Sequence, residues 1–189
     1  MKILYVDLGG VSQYNCDKMA GRIITWANLG SKVSIFIPAF MKEKVLENGI
    51  CSKIEKLYAW FSSGETKSSA SIILAYGVRI ILSFQILFQK KNYDVGFSNS
   101  PVLVDIAPII WLKIFKRCTF WVLMIDSIVP PPNFRSGSRF INYITYFEAK
   151  FVQFLAKYFA SKIFTVNQEL KNSLVNTGFT CSGNTIRIS

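Results

Sequence analysis

The sequence predicts an α/β fold, doubly wound around a mainly parallel sheet, in a single domain. Three observations carry that prediction. Short apolar runs recur along the chain without polar alternation, as strands buried on both faces require. Segments of helical period separate each run from the next, which is the pattern of a parallel sheet built by crossovers. The runs also stop at turn-forming or acidic residues, as at Asp7 with Gly9-Gly10, at Pro38 and at Asp126.

The elements follow in order. Residues 2–6 (KILYV) read as a buried strand, closed by Asp7 and the glycine pair. Over residues 16–29, Met19, Ile23, Trp26 and Ala27 recur at helical spacing, and Gly30 stands where a helix C-cap glycine belongs. Residues 32–37 (KVSIFI) form the second strand, and Pro38 ends it. A short helix over 41–47 stops at Asn48-Gly49, and 52–59 supplies a third strand. A polar stretch, 62–66, leads into a long apolar helix over 70–88. Residues 93–98 (YDVGFS) are a strand and 102–115 a helix; 119–125 (TFWVLMI) is the most apolar strand of all. A loop with Pro130-Pro131-Pro132 and Gly137 precedes a helix over 138–159 and a strand over 162–166. The helix 168–176 ends before Gly178, and 185–188 is a short apolar remnant. No repeat, low-complexity tract or linker-like shift in composition divides the chain.

Composition narrows the function. Of 189 residues, 51% are hydrophobic and 17% charged, which excludes disorder and fibrous architectures. Lys and Arg number 22 against 11 acids, a formal charge of +11 that favours an anionic partner. Histidine is absent, which removes His-dependent triads, most catalytic zinc sites and any imidazole base. The four cysteines, Cys16, Cys51, Cys118 and Cys181, form no CxxC pair, and Cys118 reads as a small buried hydrophobe. Asp7 interrupts the first apolar run too early for a signal peptide, so reduced thiols in the cytoplasm are expected. The one span-like stretch, 70–88, carries Arg79 at its centre, which costs roughly 2.5–3.5 kcal/mol in a bilayer. A packed helix is the better reading.

Three constellations have chemical potential. Gly9 and Gly10 follow the first strand, where a glycine turn lets backbone amides approach a phosphate. Neither GxGxxG nor GxxxxGK[ST] is present, and a glycine pair also serves a turn for steric reasons alone. Asp126 ends the most apolar strand at the edge where ligands bind in open α/β sheets, although aspartate also starts turns. Asn99 and Ser100 lie on the same edge, and their plainer role is to cap the helix after Pro101. In the helix over 138–159, Phe140, Tyr143, Phe147, Phe151, Phe154 and Tyr158 recur at spacings of three and four. Such a stripe reads first as core. Its breadth leaves a second reading, a helix lying in a bilayer interface.

The order of the pieces resembles the N-terminal, acceptor-side domain of a family 4 glycosyltransferase of the GT-B architecture. The residues that carry the resemblance are KILYVDLGG at the start, YDVGFSNSP and WVLMIDSIVPP in the middle, and ASKIFTVNQELKNSLVNTG near the end. The last is similar to the family's "AD.I.TVS..L...L...G" segment. The resemblance implies a Rossmann-like domain over 1–189 and retaining transfer of a sugar from a nucleotide-sugar donor, with neither metal nor other cofactor. It also implies that Gly9 and Gly10 approach the donor diphosphate. Asp126 would act as a catalytic, acceptor-facing residue, with Asn99 and Ser100 binding the acceptor. Many relatives carry histidine just before the aspartate, where this sequence has Ile125. The family's second, nucleotide-binding domain has no counterpart here, so the chain alone is expected to be inactive.

The partners expected on this reading are a nucleotide-sugar donor and a sugar or lipid-linked acceptor of the cell envelope. Residues 109–162 hold eight Lys/Arg against Asp126 and Glu148, so attachment to the anionic inner face of the cell membrane is also expected. The competing class is a non-catalytic basic module on a membrane surface or another anionic partner. Nucleic acid is disfavoured because the cations are scattered and no binding signature appears. A nicotinamide-type oxidoreductase is disfavoured by the missing glycine fingerprint.

Overall fold

The structure, a computed structural model, describes residues 1–8, 13–47, 49–60, 69–176, 178–179 and 185–188. Its strands are β1 (Lys2–Val6), β2 (Lys32–Pro38), β3 (Ile54–Trp60), β4 (Tyr93–Ser98), β5 (Cys118–Ile125), β6 (Lys162–Thr165) and β7 (Thr185–Ile188). All pair in parallel in one sheet of order β3-β2-β1-β4-β5-β6-β7. The chain winds outward from β1 to β3, crosses back to β4 beside β1, and winds outward again to β7. The order reverses between β1 and β4, so the doubly wound, Rossmann-like fold expected from the sequence is the fold observed. The remnant over 185–188 is its seventh strand.

The helices are α1 (Gln13–Asn28), α2 (Lys42–Glu47), α3 (Ser69–Leu82), α4 (Leu103–Ile114), α5 (Arg139–Phe159) and α6 (Gln168–Asn176). They divide two cores between the faces of the sheet. On one face Met19, Ala20 and Ile23 of α1 and Val45 of α2 pack on Tyr5, Val33, Ile35 and Ile37. On the other, α4, α5 and α6 pack on Leu4, Val6, Trp121, Leu123, Ile125 and Ile163, with Tyr76 and Ile80 of α3 alongside. Gly30 does end α1 with a left-handed φ of 78°.

Gly96, in the middle of β4, sets how closely α4 approaches. A Cβ added there would lie 2.8 Å from Cγ2 of Ile109 and 3.0 Å from Sγ of Cys118. Ile109 is β-branched and fully buried, so it has little freedom to yield. Gly96→Ala should therefore lower stability by about 2 kcal/mol through overpacking. In urea denaturation, much of that loss should return in the double variant with Ile109→Ala, measured against Ile109→Ala alone. The neighbouring Cys118 is the small buried group expected, and burial pushes its thiol up to about 11.

Two expectations are corrected by the structure. The apolar stretch 70–88 is not one helix, because α3 ends at Leu82 and a 3-10 helix runs over Ser83–Gln89. Among the described residues no helix is long and apolar enough to cross a membrane. The second correction concerns the aromatic stripe of α5, which is not core. Its six aromatic residues are between 46% and 67% exposed, whereas Asn142, Ala149, Val152 and Ala156 face inward. Alanine and valine let the α5 backbone come close to α4 and the sheet, and bulky rings on that side would hold it off.

Glu148 fastens this helical layer. Its Oε1 accepts the Tyr76 hydroxyl from α3 at 2.8 Å and the first backbone N–H of α4, that of Leu103, at 2.7 Å. A carboxylate at a helix N-terminus meets the unpaired N–H groups and the positive end of the dipole there. Burial and the adjoining carboxylate push the Tyr76 phenol far above its ordinary value, so it remains a hydrogen-bond donor.

Candidate functional site

In parallel strands the carboxyl ends emerge on one rim, and the register shows which residues share it. Val6 is level with Ser98, and Ser98 with Leu123. Asp7 and Leu8, Asn99 and Ser100, and Asp126 therefore leave the sheet on the same side, at the ends of three adjacent strands. Gly9 and Gly10 lie outside the described residues.

Two networks occupy the switch between β1 and β4. In the first, Asn99 Nδ2 donates to Asp7 Oδ2 at 2.9 Å, while Arg22 Nη1 of α1 donates to Asn99 Oδ1. The Arg22 guanidinium also sits 5.6 Å from the centre of the Phe97 ring. Asn99 thus links a buried carboxylate to a cation. In the second, Asp105 of α4 is fully buried: its Oδ1 accepts the Leu8 amide at 2.5 Å and its Oδ2 accepts the Ser100 hydroxyl. Neither Asn99 nor Ser100 caps the helix that follows. That helix starts at Leu103, with Val102 at the N-cap and no side-chain cap bond.

Asp126 has a different environment. It is exposed, its Oδ1 accepts the Ser127 hydroxyl at 3.2 Å, and it lines an open depression of about 270 Å³. Ser127, Asn167, Glu169 and Ser173 share that depression. Asn167 caps α6, its Oδ1 accepting the Leu170 amide at 2.7 Å. A carboxylate with free lone pairs in an open polar depression is suited to accept a hydroxyl or amide donor from a ligand. Beyond Asp126, the proline-rich loop is held to α5 by buried Asn142, whose Nδ2 donates to the carbonyls of Arg135 at 3.2 Å and Ser136 at 3.3 Å.

The rim thus holds Asp126, Asn99 and Ser100, but their side-chain hydrogen bonds keep them in separate groups. Asn99 and Ser100 face internal partners, and Asp126 faces solvent. Two residues of these networks, Arg22 and Asp105, are not singled out by the sequence pattern. Asp105 does leave a signal, since an acid inside the apolar run VLVDIAPII must be partnered if its helix is buried.

A larger cleft, about 420 Å³, lies elsewhere, toward the amino ends of the strands on the α1 face. Among the described residues nothing covers the sheet there beyond Trp26: Phe120 is 52% exposed, and Val95, Val122 and Phe164 are half-buried.

No family model matches the chain, and no curated protein sequence matches it. Solved structures do. The UDP-GlcNAc 2-epimerase from Neisseria meningitidis bound to UDP-GlcNAc has a TM-score of 0.64 at 16% identity, covering 100% of this chain and 45% of that one. The UDP-N-acetylglucosamine 2-epimerase from Rickettsia bellii has a TM-score of 0.57 at 11% identity, covering 99% and 44%. A calicheamicin glycosyltransferase has a TM-score of 0.50 at 11% identity, covering 87% and 46%. The chain spans less than half the length of each, and its fold is that of a Rossmann-like half of GT-B-type structures.

Proposed function

We propose that this chain is the N-terminal, acceptor-side domain of a retaining, family 4-type glycosyltransferase. It moves a sugar from a nucleotide-sugar donor to an envelope polysaccharide or glycolipid acceptor at the cytoplasmic face of the membrane. The observation that supports this best is the rim: a switch point in a GT-B-like half-fold, with an exposed carboxylate, Asp126, at the end of the adjacent strand. The resemblance of WVLMIDSIVPP to the family's acceptor loop supports the same assignment of Asp126.

In the step proposed, an acceptor hydroxyl oxygen bonds to the anomeric carbon of the donor on the face from which the diphosphate departs, as the carbon–oxygen bond to the diphosphate breaks, so the configuration is retained. The nucleoside diphosphate leaves with that electron pair, and Asp126 orients the hydroxyl and draws off its proton. Gly9 and Gly10 approach the diphosphate. Asn99 and Ser100 shape the floor beside it through their bonds to Asp7 and Asp105. Stabilising the charge that builds on the leaving diphosphate lowers the barrier of such a transfer more than any other single effect. This reading assigns that role to a second domain beyond these 189 residues.

The expected result is that the chain by itself turns over no nucleotide sugar at an enzymatic rate, on the order of 1 per second. Supplying a nucleotide-binding second domain of the GT-B architecture should restore transfer. Donor turnover at that rate by the isolated chain would contradict the proposal. The epimerase likeness favours one other reading, a sugar-nucleotide epimerase half. Incubating the reconstituted protein with UDP-GlcNAc and no acceptor separates the two, because only an epimerase changes the sugar there.

A further inference from the structure

We propose that the outer face of the helical layer formed by α3, α4 and α5 is a docking surface for an anionic lipid bilayer. The proposal rests on the membrane-surface part of the reading above and identifies the surface and the lipid charge it takes. At about 100° per residue, the six aromatic residues of α5 centre on the side opposite Ala149, Val152 and Ala156. Arg139, Lys150 and Lys157 fall together along one flank of the stripe. The helix has 21 residues, so the stripe is about 30 Å long. Phe134, in the loop before it, is 83% exposed and extends the same apolar character.

The neighbouring helix adds a second strip. Leu74 and Ile81 of α3 and Phe88 of the following 3-10 helix are each at least 70% exposed. Phe84 continues the strip and meets Phe115, at the end of α4, at a ring distance of 6.0 Å. The Tyr76–Glu148 hydrogen bond ties α3 to α5, so the two strips belong to one layer. Lys90 and Lys116 stand two and one residues beyond Phe88 and Phe115, while Lys91 pairs with Glu55 at 3.2 Å and Lys113 and Arg117 donate to the carbonyls of Thr119 and Leu87. Apolar rings and aliphatic side chains edged by cations are the composition of a face that sinks shallowly into the interface of an acidic leaflet.

Charge selects this occupant. A second copy of the chain would bring another +11 against the same cations, and like charges destabilise such a contact. Nucleic acid would need cations along the middle of the strip, where Leu74, Val78 and Ile81 stand.

Vesicle sedimentation tests the proposal with the full chain and no donor, acceptor or second domain, so the outcome is independent of transfer. The chain should pellet with vesicles of phosphatidylcholine mixed with phosphatidylglycerol and remain in solution with phosphatidylcholine alone. Binding should weaken at high salt, because exposed charges are screened beyond about 10 Å at 0.1 M. Lys150→Glu and Lys157→Glu should each reduce partitioning at least roughly fivefold. Phe147→Ser with Phe151→Ser should reduce it further, with an unchanged urea midpoint, since these side chains touch little of the core. Equal pelleting on neutral vesicles, or none on acidic ones, overturns the proposal. A dimer of the wild type that the phenylalanine variant converts to monomer also overturns it, in favour of a second copy.

Discussion

Replacing Asp105 with alanine is expected to lower the unfolding free energy by about 3 kcal/mol and the melting temperature by roughly 6–12 °C. The carboxylate is fully buried and accepts two donors from outside its own helix, the Leu8 amide and the Ser100 hydroxyl. Alanine leaves both donors without that partner, at a position where Leu8 is also fully buried and water cannot replace it. Asp105→Asn should fall between wild type and Asp105→Ala. Its amide keeps one acceptor oxygen but turns an NH2 group toward the other donor. Urea unfolding of the three proteins makes the comparison, and an alanine variant within 1 kcal/mol of wild type would show that the bridge contributes nothing.

Replacing Asp126 with alanine should have the opposite profile. The side chain is exposed and its hydrogen bond is to the adjacent Ser127, so stability should change by less than about 0.5 kcal/mol. In the two-domain transferase proposed above, however, kcat/KM for transfer should fall at least about 100-fold, the contribution of a positioned proton acceptor. Asp126→Asn keeps the shape and the hydrogen bond to an acceptor hydroxyl but loses the basicity. It should preserve KM better than kcat. A variant that lost only KM would place Asp126 in acceptor binding alone.

The strands are legible in the sequence because a strand buried on both faces has one physical signature, an unbroken apolar run. The run 119–125 lies wholly within β5, and even the remnant 185–188 pairs with β6. The rim position of Asp126 follows from the same signature, as the first charge after such a run. The inward face of α5 is not legible. A helical stripe records a period, and hydrophobicity assigns the larger residues to the inside. Here close packing against α4 and the sheet selects Ala149, Val152 and Ala156 and leaves the rings outside. The roles of Asn99 and Ser100 are hidden for another reason. Asn99 finds Asp7 only by contact with the neighbouring strand end, and although Ser100 and Asp105 are close in sequence, the pattern there shows only that Asn and Ser begin helices well.

The bond between Leu8 and Asp105 closes a gap of 97 residues, and β1 cannot acquire its second neighbour until β4 has been made. During synthesis at about 5–20 residues per second, that delay is on the order of 5–20 s. Throughout it, one edge of the most apolar part of the nascent sheet has no strand to pair with. Long-range parallel pairing is slow to form and exposed to aggregation while it forms. The chain is thus made in an order that leaves its first strand paired on one side only until the switch point between β1 and β4 is complete.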